Sequence, residues 1–236
     1  MDERSLRTRM LLGPEAMDTL AHSHAAVFGL GGVGSWCAEA LARAGVGELT
    51  LIDQDSVGRS NINRQLCALE STLGRPKVEA VGARLLDINP ALRLHLLQGC
   101  YCAEDRERFL GDYAYVADAI DLVSCKLDLI LSCRARGIPI VSALGTGNKR
   151  DASQLRIADL SETRGCALAR VVRRELRRRG VEHHTVVYSP EEPLTPEQLE
   201  APPPGRRSIP GSLVWVPATA GLLLAQHIVT ELTAER

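Results

Sequence analysis

The sequence predicts a doubly wound α/β fold built on a mostly parallel sheet, and three observations carry that prediction. Strand-like apolar runs alternate with helical runs over the first 145 residues, the order that builds a parallel sheet. The chain is 45% hydrophobic but only 3% aromatic. Small aliphatic side chains therefore do the packing, which suits strands covered by helices on both faces. The run Val27-Phe28-Gly29-Leu30-Gly31-Gly32-Val33-Gly34 sets a G-x-G-x-x-G turn between an apolar strand and a helix, where a nucleotide can approach bare backbone.

Taken in order, residues 6–12 and 14–20 read as two short helices divided at Gly13-Pro14. Strand 25–28 leads into helix 33–44, and Gly45 and Gly47 punctuate the return to strand 48–52. Helical periodicity over 75–89 stops at Asn89-Pro90, and 93–98 is a strand. Strands 115–119 and 138–143 flank helix 122–136. After Ala143 the pattern changes: 154–158 and 184–189 read as antiparallel strands around a basic helix, 168–179. Residues 189–210, rich in Pro and Glu, read as a long mobile loop, 213–216 as a strand and 218–232 as a closing helix. The expectation is a single domain over 1–236. It has N-terminal helices to 24, a nucleotide-binding half to 145 and a mixed α/β, substrate-side half from 146.

Charge and composition narrow the function. With 28 Lys+Arg against 29 Asp+Glu the net charge is −1, so no global field draws in nucleic acid and any basic footprint is local. The N-terminus lacks a signal-peptide core, and the apolar stretch 213–228 is interrupted by Pro217 and Gln226, so no membrane span is expected. None of the seven cysteines forms C-x-x-C, which argues against a disulfide framework and a structural zinc site. A reduced, cytoplasmic protein is expected.

Asp53 stands 19 residues past Gly34, where a ribose-binding acid belongs. That pair alone also fits a dinucleotide dehydrogenase. The segment Asp53-Gln54-Asp55-Ser56-Val57-Gly58-Arg59-Ser60-Asn61-Ile62-Asn63-Arg64-Gln65 adds a second carboxylate, amides and guanidiniums. Triphosphate cleavage needs such a set to hold a ribose, ligate magnesium and neutralise departing pyrophosphate.

At these residues the chain resembles the ubiquitin-activating-like adenylation superfamily, with its Rossmann-like sheet. The resemblance rests on Gly29-x-Gly31-Gly32-x-Gly34, Asp53-x-Asp55, Ser60-Asn61-x-x-Arg64-Gln65, Gly74-x-x-Lys77 and Asp118-Ala119-Ile120-Asp121. It implies ATP and Mg2+ as cofactors. Gly31 and Gly32 would then contact phosphate, Asp53 the ribose, Asn61, Arg64 and Lys77 the phosphates, and Asp121 the magnesium. Gly29, Gly34, Asp55 and Gln65 complete the nucleotide-binding set. Arg4-x-x-Arg7 resembles the segment whose second arginine reaches a partner's ATP site, which implies a homodimer with Arg7 acting in trans.

The missing C-x-x-C pairs turn the comparison toward a narrower group, the bacterial tRNA threonylcarbamoyladenosine dehydratases. The shared features are Ser35-Trp36 after the glycine turn, Gly145-x-Gly147-Asn148-Lys149, Ala169 to Arg177, Pro210-Gly211-Ser212 and Val216-Pro217. The resemblance implies a tRNA substrate whose carboxylate is adenylated and then captured by a neighbouring carbamoyl group, an intramolecular closure that depends on orientation. An adenylating enzyme for a ubiquitin-like or sulfur-carrier protein is the alternative. Two departures stand out: Asp151-Ala152 and Cys166-Ala167, where Asp-Pro is expected in both places.

Plainer readings stand beside these. Asp55 also suits a turn cap, Arg64 a surface ion pair and Asp121 a helix N-cap. Lys77 falls in the first turn of a helix, where its charge opposes the macrodipole unless an anion lies close. Arg170, Arg173, Arg174 and Arg177 read either as a tRNA phosphate surface or as a solvated face. His183 and His184 read as structural, and Cys125 as a packing residue.

Overall fold

A computed structural model of the protein describes residues 3–199, 201 and 208–234. The elements follow the expected order. They are α1 (Leu6–His22), β1 (His24–Phe28), α2 (Gly34–Ala44), β2 (Glu48–Asp53), α3 (Lys77–Ile88), β3 (Arg93–Gln98), α4 (Arg106–Phe109) and β4 (Tyr115–Asp118). Then come α5 (Val123–Ala135), β5 (Ile140–Ala143), β6 (Arg156–Asp159), α6 (Ala167–Arg177), β7 (Thr185–Tyr188) and α7 (Trp215–Thr233). Within α1 the helix breaks at Gly13, whose φ of 83° is left-handed, so the two predicted segments are two arms across one kink.

The strands form one seven-stranded sheet in the order β3-β2-β1-β4-β5-β7-β6. Among the described strands only the β6/β7 pair is antiparallel; β7 runs parallel to β5. The antiparallel pair therefore extends the main sheet. Two apolar cores lie on its faces. One joins α2, α3 and α7 to β1 and β2 through Leu41, Val81, Leu224 and Leu49. The other joins α5 and α6 through Ile130, Val172 and Leu176. Strand order reverses between β1 and β4, the switch point where doubly wound sheets bind ligands beyond the strand C-termini.

One expected element is absent. Residues 213–216 are not a strand: Trp215 already opens α7, and Pro217 sits in its first turn. A proline is tolerated there because its missing N–H would have no intrahelical acceptor, and four apolar residues carry no periodicity that tells strand from helix. The short helix α4 lies inside a segment with no periodic signal. In the expected loop, residues 189–199 hold no helix or strand; Glu200 and residues 202–207 lie outside the described residues.

Candidate active site

The glycine turn closes tightly on the sheet. A Cβ on Gly34 would lie 1.7 Å from the Gly29 carbonyl oxygen, and one on Gly29, at φ 87°, would lie 2.7 Å from that of Ala119. Gly34 is thus a packing residue that brings α2 against the turn. It does not line the cavity, whereas Gly29, Gly31 and Gly32 do. The N–H groups of Gly31, Gly32 and Val33 have no acceptor among the described residues. They face a cavity of about 530 Å³, within the usual range for ligand pockets. Free amides at the start of α2 form an anion-binding cradle.

Asp53, the last residue of β2, works as a hub. Its Oδ2 accepts from Leu30 N at 2.6 Å and its Oδ1 from Asp55 N at 2.8 Å. The carboxylate so fixes both loops while keeping lone pairs for a ribose hydroxyl. Residues 55–57 fold back on 74–77 through Lys77 N to Asp55 O (2.9 Å) and Val57 N to Arg75 O (2.9 Å). That pairing delivers Lys77, the first residue of α3. Its ammonium group is buried, 2.8 Å from Asp55 Oδ2 and 3.9 Å from Asp53 Oδ1. The anion that relieves its conflict with the helix dipole is thus supplied by the protein, and Asp55 is a lysine partner as well as a turn residue.

The loop from Arg59 to Gln65 wraps the opposite wall. Asn61 Oδ1 accepts from Gly58 N at 3.0 Å, leaving its Nδ2 donors available. Arg64 is half-buried. Its Nη1 donates to Ser60 O (3.0 Å) and Asn63 Oδ1 (2.9 Å), and its carbonyl accepts from Trp36 Nε1 at 3.3 Å. No acidic side chain pairs with it among the described residues, against the surface ion-pair reading. Gln65 Oε1 is buried with no hydrogen-bond partner among the described residues, on a side chain whose Nε2 lies beside Gly31. A buried orphan acceptor in a cavity wall is a group awaiting a ligand donor.

Beneath the cavity floor lies a pair of which the motifs had included Asp118, without a role, but not Lys126. Asp118, at the end of β4, and Lys126, in α5, are both fully buried, with Nζ to Oδ2 at 2.6 Å. Lys126 Nζ also donates to Ala143 O at 3.0 Å, and Asp118 Oδ1 accepts from Ile120 N at 3.0 Å. The pair ties β4, β5 and α5 beneath the loop that carries Asp121. Asp121 is exposed and lines the cavity. It does not cap α5, whose N-cap position is Leu122 with no side-chain bond. An apolar helix hides Lys126 in the sequence; its spacing of eight from Asp118 was the available signal.

The second half forms the cover. Gly147, Pro210, Gly211 and Ser212 line the cavity. Asn148, at φ 60°, exchanges bonds with Gly211: N to O at 2.8 Å, and Gly211 N to its Oδ1 at 2.7 Å. Lys149 is buried and donates to the carbonyls of Ser189 (2.7 Å) and Glu191 (2.8 Å). Burial pushes its pKa down, against the influence of Cys166 and Glu191. Both departures keep a cap. Asp151 Oδ1 accepts from Ser153 N at 2.9 Å, and Cys166 Sγ takes the weaker bond from Ala169 N at 3.5 Å at the head of α6.

Beside the floor, Ser142 Oγ meets His184 Nε2 at 2.8 Å. Burial, reinforced by the charges of Lys126 and Arg134, lowers the His184 pKa to about 3. The unfolded chain binds this proton near pH 6.5 while the folded chain refuses it. Stability is therefore lost as pH falls from 6.5 toward 3, by at most about 1.4 kcal/mol per pH unit from this group. Urea unfolding at a series of pH values should show the slope flattened in His184→Gln over that window; an unchanged slope would refute the assignment.

Other predicted residues lie outside the cavity. Arg7 is exposed on α1 and does not line the cavity of its own chain. On α6, Arg170, Arg174 and Arg177 are exposed, whereas Arg173 is half-buried and donates to Thr163 O at 2.8 Å. Arg174, Arg178 and Arg179 surround Glu175.

A switch-point cavity with free glycine-turn amides, a carboxylate at the end of β2, an arginine and a buried lysine fits a nucleotide-binding site of the adenylating type. The profile of the ThiF family matches residues 3–236. The chain belongs to that family, within the ubiquitin-activating-like adenylation superfamily. It is 41% identical over 237 residues to the tRNA threonylcarbamoyladenosine dehydratase of Bacillus subtilis, covering 96% of this chain and 93% of the relative. The Escherichia coli tRNA N6-threonylcarbamoyladenosine dehydratase solved with AMP superimposes with a TM-score of 0.88 at 34% identity, over 98% of this chain and 94% of that one. The same enzyme solved with ATP gives 0.87 at 34%, over 98% and 93%.

Proposed function

We propose that this protein is an ATP-dependent dehydratase of threonylcarbamoyladenosine in tRNA. The observation that carries the reading is the cavity itself: unpaired amides of Gly31 and Gly32, orphaned Gln65 Oε1, Arg64 and Lys77 meet in one chamber. The likeness to the Bacillus subtilis and Escherichia coli dehydratases spans nearly the whole chain. In this reading Asp53 holds the ribose, the glycine amides with Asn61, Arg64 and Lys77 hold the phosphates, and Asp121 holds Mg2+, which supplies charge neutralisation at the α-phosphate. The substrate carboxylate attacks the α-phosphorus and pyrophosphate leaves. The carbamoyl group then closes on the activated carbon and expels AMP, a net loss of one water from the nucleoside.

The chain acts as one adenylation domain, in a homodimer in which Arg7 reaches the partner's cavity. Support comes from the exposure of Arg7 together with Met10 and Leu11 on α1. Arg170, Arg174 and Arg177 offer tRNA a local basic surface on a chain of net charge −1. The setting is cytoplasmic; among the described residues no helix is long and apolar enough to cross a membrane. Incubating the protein with ATP, Mg2+ and modified tRNA should remove one water from the nucleoside by mass spectrometry. Transfer of AMP to a carrier-protein C-terminus, with no mass loss in the tRNA, would favour the carrier-adenylating alternative.

A further inference from the structure

We propose that His24, Glu48 and His95 form a binding site for one divalent ion of the zinc class, at the end of the sheet opposite the nucleotide cavity. These residues sit on the adjacent strands β1, β2 and β3. Register pairs His24 with Glu48 and Thr50 with His95. Glu48 and Thr50 are two apart on β2, so all four share one face.

The donor atoms converge. Glu48 Oε1 lies 2.7 Å from His95 Nε2 and 3.7 Å from His24 Nδ1, and the three ligand atoms all fall within 4.8 Å of one another. Ligands on a tetrahedral zinc at ~2.0–2.1 Å stand roughly 3.3 Å apart, so small rotamer adjustments admit the ion.

The surroundings orient the ligands as metal sites require. His24 Nε2 meets Thr50 Oγ1 at 2.8 Å, leaving Nδ1 to face Glu48. Arg93 Nη2 holds the other carboxylate oxygen of Glu48 at 2.7 Å, so Oε1, which faces the two imidazoles and hydrogen-bonds His95 Nε2, is the oxygen that would ligate an ion. Burial lowers the His24 pKa, aided by His95 and Arg93 and opposed by Glu48. Hydrogen bonds from Arg93 and His95 hold the Glu48 carboxyl at about 2. His95 is 52% exposed, so a water can complete the coordination. Two imidazoles and one carboxylate suit zinc over magnesium or calcium. The plainer arrangement is an ion-pair network of Glu48 with Arg93 and His95.

Titrating the chelator-stripped full-length protein with zinc chloride in saturating Mg-ATP separates the two. The expected result is one zinc per chain with a dissociation constant in the low micromolar range or below, and a zinc-dependent rise in Tm of several degrees. His95→Gln changes an exposed side chain on the edge strand. It should weaken zinc binding at least tenfold and abolish the Tm shift, with ATP binding intact; Glu48→Gln should do the same. Binding no tighter than about 100 μM, or zinc affinity unchanged in both variants, overturns the proposal.

Discussion

Arg64→Ala and Lys77→Ala should each lower ATP-dependent turnover by about 100–1000-fold, the usual loss for one preorganised charge-stabilising donor. The two substitutions act differently. Arg64 is half-buried, bonded to its own loop by Ser60 O and Asn63 Oδ1. Its removal subtracts a guanidinium with little reorganisation. Lys77 is buried between Asp53 and Asp55, so its removal also leaves two carboxylates uncompensated where the proposed function places phosphate. Lys77→Ala should therefore weaken ATP binding as well as turnover, whereas Arg64→Ala falls mainly on turnover. Pyrophosphate exchange into ATP, with ATP binding measured calorimetrically, reads both quantities. Wild-type-like exchange in both variants would remove these residues from the catalytic set.

Lys126→Met should cost about 3–5 kcal/mol of stability, the range for stripping one partner from a buried ion pair. Asp118 would stay fully buried with its charge unmatched. The double variant Asp118→Asn with Lys126→Met should recover a large part of that loss, because the Asn carbonyl still accepts from Ile120 N and no charge is left orphaned. Urea unfolding of the single and double variants measures the coupling. A single-variant cost below about 1 kcal/mol would mean that the pair is water-accessible in solution. Because Asp118 positions the loop carrying Asp121, the stable double variant should also bind ATP more weakly than wild type.

Much of the fold was legible because its signals are local. The glycine turn, Asp53 at the end of β2 and the helix preceding Asn89-Pro90 each follow from a few neighbouring residues. The β6/β7 pairing was legible as two short strands, but not that β7 would dock parallel on β5. The misread strand at 213–216 is the first turn of a helix opened by Trp215, and four apolar residues hold no period to distinguish the two.

The site divides in the same way. The residues themselves marked the glycine turn, Asp53 and the polar segment through Asp55, Asn61, Arg64 and Gln65 as one nucleotide site, and the family resemblance added Lys77 and Asp121; all of them line one cavity at one edge of a parallel sheet. Only the tertiary structure decided their electrostatics. It set Lys77 against Asp55, left Gln65 Oε1 without a partner, buried Asp118 with Lys126, and brought Asn148 and Gly211 together as the cover across 63 residues. The physical reason is range. Backbone turns and caps are fixed within a few residues, whereas desolvation and ion pairing depend on which distant segments exclude water from the same volume.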